Sequence, residues 1–532
     1  MSPRPRCVNQ SHSGVRWVYN SRMSEAVRTR ASTREAERSA IRISVSAVVL
    51  GFLAAGVAAY YAACGVLLHL SFHSYGWDLG IFDQVMWSIV HGHGFHYSFR
   101  SMPYLGDHFQ PVLALTAPLV FLGLGPVPIL VLQGVAFGAA VIPLYAAVRR
   151  LLGESAGIIA AWAISLAYLL SLGLARADSY DWHPECFVPV LAFTALWALT
   201  AKRPGVFALA TLALLPLKED MGFLALGMCW VAWLGFAEKD VARRVALVSA
   251  AYTAVTSLAV VPLIAHGNSN PLVERYPYLG NDAREIALNA VIRPDLIVRH
   301  LAHWEQAKTV LYLLGGVAFL PMLRPRLLLP LVVLVVLPML SVSDVQRTLS
   351  LHYGVVPYAF SFVLAALALE AVARFGFPSP AALSRFASDG RPVVIAAGVA
   401  AIAAIGLFAW KSPLPPSFAA DASRYEIDHH ADVAQSFVDQ VPGGIVISAQ
   451  ATYVPHLSER FDVYEFPRIE NSTYVIIDDK RDVPGYDQPG YQACRESIAA
   501  IGFRLERAED GIEMYTRSAE DAARLNGGES CG

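Results

Sequence analysis

Seven stretches of this chain are apolar over the length a helix needs to cross a bilayer: Val45 to Leu68, Val127 to Val148, Ala156 to Ala175, Met221 to Ala237, Val245 to Ala265, Tyr353 to Leu369 and Pro392 to Trp410. About 20 apolar residues cover the hydrocarbon layer, with about 17 as the usual lower limit. Four shorter runs follow the same character: Cys186 to Ala201, Gly205 to Leu217, Val310 to Leu323 and Leu327 to Leu340. Charged residues are 16% of the 532, against about 25% in soluble domains, and the mean hydropathy is +0.44. Most of the chain therefore belongs in lipid.

Sidedness follows from Lys and Arg, which accumulate in cytoplasmic loops. The leader carries Arg4, Arg6, Arg16, Arg22, Arg28, Arg30, Arg34, Arg38 and Arg42, which puts the N-terminus inside. The later basic ends are Arg149-Arg150, Lys202-Arg203, Arg243-Arg244, Arg324 with Arg326, and Arg374, Arg385 and Arg391. All of them fall inside if the run Leu113 to Leu124 lies in the outer interface instead of crossing. That assignment gives about eleven transmembrane helices in a domain over 43–411, outward loops at 71–126 and 266–305, and an extracytoplasmic C-terminal domain at 412–532. Arg275, Arg284, Arg293 and Arg299 in the second loop run against this map.

The first 42 residues read as a disordered basic cytoplasmic leader, with Met23 an alternative start. The run from Val45 is too long for a cleavable signal peptide and should remain as an anchor. From Ser412 the composition changes. A helix over Ala431 to Val441, strands Ile445 to Ala449, Asp462 to Phe466 and Tyr474 to Asp478, a helix Tyr491 to Ile501 and a hairpin Phe503 to Thr516 make a small α/β domain. It has no Gly-rich phosphate loop. Net charge is −2, with the basic residues at loop ends and not on one face, so nucleic acid is set aside as a partner. Of the six cysteines only Cys494 and Cys531 lie in the polar tail, which allows one optional disulfide.

Chemistry is concentrated in the first outward loop. It opens with Tyr75-Gly76-Trp77-Asp78-Leu79-Gly80-Ile81-Phe82-Asp83-Gln84 and reaches Gly106-Asp107-His108-Phe109-Gln110-Pro111. Leu79, Phe82, Met86, Ile89 and Val90 follow helical spacing, with Asp83, Trp87 and His91 on the other side. The segment reads as an amphipathic helix at the outer surface. Asp78 would stand at its N-terminus, where backbone N–H groups favour a carboxylate, as a cap, as a reactive group or as both. His91, His93 and His96 read as solvent-facing.

Two further polar segments interrupt apolar sequence. Lys218-Glu219-Asp220 follows a run that rises only about 20 Å, so the triplet can sit below the headgroups. There an unpaired charge costs about 2.5 to 3.5 kcal/mol, and the triplet must be paired or face a wet cavity, unless it is a polar turn at the surface. His183-Pro184-Glu185, preceded by Arg176, Asp178 and Asp181, is either part of a site or an interhelical loop whose helix Pro184 starts. Asp78, Asp107, His108, His183 and Glu185 offer mixed oxygen and imidazole ligands, so a divalent metal ion is the candidate cofactor. No zinc spacing is present.

Trp77 to Gln84, Leu105 to Pro111, His183-Pro184-Glu185, Lys218-Glu219-Asp220, His352-Tyr353 and Val454-Pro455-His456-Leu457-Ser458 occur in an order that resembles the predicted membrane proteins of domain-of-unknown-function family 2079. More distantly the layout is similar to the GT-C superfamily of integral-membrane glycosyltransferases. There an acidic motif opens the first outward loop and a second helix ends in basic residues, the places held here by Asp78 and Arg149-Arg150. The usual Asp-Glu pair is Asp78-Leu79 in this chain, which leaves Asp83 or Asp107 to supply the other carboxylate.

The resemblance implies transfer of a sugar from a polyprenyl-phosphate-linked donor to an unknown extracytoplasmic acceptor. Asp78 would be the general base, with Asp83 and Asp107 as its alternatives. Lys218, Arg176 and Arg100 would neutralise the departing phosphate, and His108, His183, Glu185, Glu219 and Asp220 would complete the substrate site. The alternative is a non-catalytic lipid- or glycolipid-binding or translocating protein of cell-envelope assembly. The paired broken helices of a transporter are not visible.

Overall fold

The computed structural model describes residues 45–153, 155–266, 271–376, 390–481 and 488–524. The basic leader 1–42, Arg385 and Cys531 lie outside them. The chain forms two units, Met1–Ala54 and Ala55–Gly532. Of the first, residues 45–54 are described, and they are helical.

Among the described residues six helices are long and apolar enough to cross a membrane: Val45–Leu70, Val127–Leu152, Ala156–Asp178, Lys239–Ile264, Asp344–Phe375 and Arg391–Lys411. They coincide with six of the long apolar runs and make this a multi-pass, predominantly α-helical membrane protein. In lipid the backbone polar groups must be paired within the segment itself, which an apolar run achieves only as helix. Asp344–Phe375 is central, with 83% of its apolar window buried, whereas Lys239–Ile264 is peripheral at 17%.

The expected count of about eleven spanning helices is corrected by this set. Leu113–Leu122, Pro184–Thr200, Pro204–Leu217, Met221–Gly235 and Pro325–Met339 are apolar but only 10–17 residues long. Local sequence cuts them short. Pro204 opens one helix directly after Lys202-Arg203. Lys218 is extended, at φ −171° and ψ 156°, and ends that segment before Met221 starts the next. The run Val310 to Leu323 is broken by Ala318 and Phe319, both at positive φ, between the helix Trp304–Gly315 and a 3₁₀ turn at Leu320–Leu323. Fifteen residues rise about 22 Å, short of a hydrocarbon core of about 30 Å.

Beyond Lys411 the chain builds a small sheet-containing domain. Helix His429–Val438 precedes strands β1 (Ile447–Ala449), β2 (Val463–Glu465) and β3 (Tyr474–Asp478). Helix Gln488–Ser497 then leads into the β4 (Arg504–Glu509) and β5 (Ile512–Thr516) hairpin, and helix Ala519–Arg524 follows. The strand order is β2-β1-β3-β5-β4, with β1 parallel to β2 and β3 and the hairpin antiparallel. The elements expected from alternation and Gly stops are all present. One face of the sheet packs Phe437, Ile447, Val463 and Ile476 together with Phe72, a residue of the first loop. The other packs Phe466, Val475, Ile477 and Phe503. The loop that follows the first long helix is thus built into the core of the C-terminal domain.

Candidate functional site

Asp78 stands in a single π-turn, Gly76–Gly80, that runs directly into the helix Ile81–Val90. It does not cap that helix. Tyr75 holds the cap position with no side-chain cap bond, and its N–H donates instead to Asp181 Oδ2 at 3.1 Å. Two glycines let the C-terminal domain close on the turn. A Cβ on Gly76 would lie 2.5 Å from Glu465 Oε2 and 3.0 Å from Val454 Cβ, and one on Gly80 would lie 3.0 Å from Val454 Cγ1. The Gly76 N–H donates to the Ala451 carbonyl at 2.8 Å.

The same contact corrects the expectation of a water-facing helix surface. Asp83 is 1% exposed and accepts a 2.6 Å bond from Ser458 Oγ. Burial, and then the Glu459 carboxylate, push its carboxyl up to about 8. Gln84 donates to the Phe461 carbonyl at 2.8 Å. The Asp83 end of the face expected to meet water is therefore covered by the C-terminal domain, and Asp83 lies apart from the cavity beside Asp78.

A cavity of about 330 Å³ opens beside Asp78. Its wall takes Trp77, Asp78, Arg100, Tyr104, Asp107, His108 and Gln110 from the first loop. His183, Lys218, Glu274 and Arg275, Ser341 to Ser343, and His352 with Tyr353 come from later segments between helices. Of the residues singled out by sequence, Asp78, Asp107, His108, His183 and Lys218 therefore meet there.

His183 is 4% exposed. Its Nδ1 lies 3.1 Å from the Asp181 carbonyl, which can only accept, so Nδ1 carries the proton. Its Nε2 faces Asp78 Oδ1 at 3.3 Å without an aligned hydrogen bond. The Tyr180 hydroxyl also interacts with the Asp78 carboxylate. Burial first, and the Asp78 charge second, hold the Asp181 carboxyl well above the usual carboxylate range, so the two neighbouring acids are distinct: Asp181 buried, Asp78 at the cavity. The His183 ring stacks on His352 with centroids 3.5 Å apart.

The charged triplet is semi-buried and paired, which decides against a simple surface turn for its first two members. Lys218 Nζ bonds Glu185 Oε1 at 2.9 Å, with both side chains under a tenth exposed, and sits 5.6 Å above the Tyr353 ring. Burial alone would lower the ammonium's affinity for its proton, but the Glu185 carboxylate raises it above lysine's ordinary value. Glu219 accepts from the Phe109 N–H at 3.0 Å, and its other oxygen lies 3.1 Å from His108 Nδ1. Against the cost of burial, His108 and Lys218 hold the Glu219 carboxyl at about 2. Asp220 is exposed.

Arg100 lies 3.3 Å from Asp107 and 5.7 Å over the Trp77 ring. Arg176 does not line the cavity, and its guanidinium is 6.0 Å from the Tyr312 ring. His91 and His93 are exposed loop residues. As for a divalent ion, the described residues hold no group of three His, Cys, Asp or Glu placed to bind one. Asp78–His183 and Glu185–Lys218 are pairs.

Arg275, Tyr180 and the placement of His352 escaped the sequence. Arg275 did leave a signal, since an arginine in an otherwise outward loop opposes the charge rule that orders the rest of the chain. Tyr180 left none.

The family described as "Predicted membrane protein (DUF2079)" matches residues 68–511. No curated protein matches the chain by sequence. Among solved structures, ArnT from Cupriavidus metallidurans bound to undecaprenyl phosphate is 13% identical, covering 90% of this chain and 99% of that chain with a TM-score of 0.48. The Archaeoglobus fulgidus oligosaccharyltransferase AglB, in complex with an inhibitory peptide and a dolichol-phosphate, is 14% identical over 87% of this chain and 74% of that chain, with a TM-score of 0.38.

Proposed function

The chain belongs to the DUF2079 family of predicted membrane proteins, and from that premise we propose that its polar cavity is the active site of a GT-C-type glycosyltransferase, one that moves a sugar from a polyprenyl-phosphate carrier to an extracytoplasmic acceptor. The observation that carries the reading is the convergence of Asp78, His183, Lys218, Arg275 and His352, from separate interhelical segments, on one cavity. Sequence motifs more than 270 positions apart have a common destination.

In the proposed reaction the acceptor hydroxyl attacks the anomeric carbon. Its proton passes to the Asp78 carboxylate, the bond from carbon to carrier phosphate breaks, and the phosphate leaves with the electron pair. Lys218, Arg100 and Arg275 at the wall neutralise that anion. His183 and Tyr180 flank Asp78, and burial holds the Asp181 carboxyl well above the usual carboxylate range. Asp107, with Arg100 beside it, is the alternative base. Glu185 holds Lys218 in position, and Glu219 holds His108 at the cavity wall.

Sidedness is part of the proposal. The first loop and the C-terminal domain contact one another, so both lie on one side of the membrane. Of the six long helices five follow that loop, an odd number, so they cannot by themselves return the chain to its side. We assign an odd number of the shorter apolar helices as further traversals, with the domain limits at 43–411 and 412–532. Cys494 is disulfide-bonded, which suits an oxidising, extracytoplasmic compartment.

The test is Asp78→Asn, which should lower sugar transfer by about 100-fold or more at unchanged abundance in the membrane. Full transfer by that variant would move the base to Asp107. A second reading, a non-catalytic glycolipid binder, is favoured by the internal pairing of Lys218 with Glu185 and of His108 with Glu219. It predicts carrier binding by wild type with no transferred sugar.

A further inference from the structure

Helix Pro184–Thr200 has the polar cavity at its start and a second hollow at its other end, about 25 Å away at 1.5 Å per residue. That hollow, about 510 Å³, lies between Tyr145, Arg149, Arg150 and Gly153 on one helix end and Trp197 and Thr200 on the other. Arginines at helix C-termini are ordinary partners of the helix dipole, and that alone would need no ligand. Two features go further. The arginines border a cavity large enough for a headgroup, and Tyr145, 5% exposed, brings to its wall a hydroxyl with no hydrogen-bond partner among the described residues. Trp197, half-buried, stands beneath the Arg203 guanidinium at 5.6 Å, an aromatic of the kind that settles at headgroup depth.

We propose that this hollow is a binding site for the phosphate headgroup of an anionic phospholipid, drawn from the leaflet opposite the polar cavity. Arg149 and Arg150 would meet the phosphate, the Tyr145 hydroxyl would donate to one of its oxygens, and Trp197 would pack on the glycerol region. A basic pocket between helices at a membrane surface has the chemistry for such a headgroup.

The test uses the purified full-length protein and native mass spectrometry, with phosphatidylglycerol and phosphatidylcholine as probes and inorganic phosphate as competitor. Wild type should retain phosphatidylglycerol in preference to phosphatidylcholine. Arg150→Gln, at an exposed position where folding is not at stake, should weaken retention about fivefold, and Arg149→Gln/Arg150→Gln about 25-fold. Tyr145→Phe should weaken it with the thermal midpoint in phosphatidylcholine unchanged. Equal retention of both lipids, or arginine variants that hold phosphatidylglycerol as wild type does, would overturn the proposal. Complete displacement by millimolar inorganic phosphate would do so as well, because the ligand would then be a free anion.

Discussion

Replacing Lys218 by Met tests the charged centre of the cavity most directly. The ammonium is bonded to Glu185 at 2.9 Å, and the two side chains are 8% and 3% exposed. Removing the cation leaves a buried carboxylate whose second oxygen already has no hydrogen-bond partner among the described residues. Breaking a buried pair on one side costs about 3–5 kcal/mol, whereas removing both charges is close to neutral. In a chain of this length that should lower the thermal midpoint by on the order of 3–5 °C, while Lys218→Met/Glu185→Gln should recover most of the loss. Scanning fluorimetry in a fixed detergent measures the midpoints, and native mass spectrometry with a polyprenyl phosphate measures binding on the same samples. If the ammonium also meets the donor phosphate, the double variant regains stability and still fails to bind. A single variant as stable as wild type would refute the buried-pair argument. A double variant that binds normally would remove Lys218 from the donor site.

The grip of the C-terminal domain on the acid-bearing turn predicts that Gly76→Val costs about 1–3 kcal/mol by overpacking against Val454 and lowers transfer, with Val454→Ala restoring part of both; no rescue would separate the turn from that contact. Asp83 titrates at about 8 in the folded protein, above about 3.9 for an unfolded aspartate. The unfolded chain then holds fewer protons between those values, and stability falls as pH rises from about 4 to about 8. Asp83→Asn should flatten that part of the midpoint-versus-pH curve relative to wild type, and an unchanged slope would count against a buried neutral acid. For topology, cysteines at exposed His93 and Phe418 should label together from outside with an impermeant thiol reagent while one at Gly153 does not. Gly106 is a poor choice because a Cβ there meets the Ala265 backbone at 2.9 Å. Labelling at Gly153 from outside would overturn this sidedness and the placement of Leu113–Leu122 in the outer interface.

Hydrophobicity and period fixed much of this protein before any folding was considered. Runs such as Val127 to Val148 and Pro392 to Trp410 admit one solution in lipid, a helix that closes its own hydrogen bonds. Alternation and Gly stops likewise located the strands Ile447–Ala449 and Tyr474–Asp478. The short runs were less legible, because Lys218 and the left-handed Phe319 interrupt helical sequence, and Pro204 restarts a helix, at places where hydropathy averages run on. What tertiary structure alone decided is partnership. Asp78 and Asp83 look alike in sequence, five residues apart on one short segment. Yet Ser458 and its neighbours seal Asp83 in a dry contact, where burial raises its carboxyl, while Asp78 opens on the cavity beside His183. Neither outcome is encoded locally, since each depends on residues more than 100 positions away whose approach is set by the packing of helices and by two glycines small enough to admit Val454.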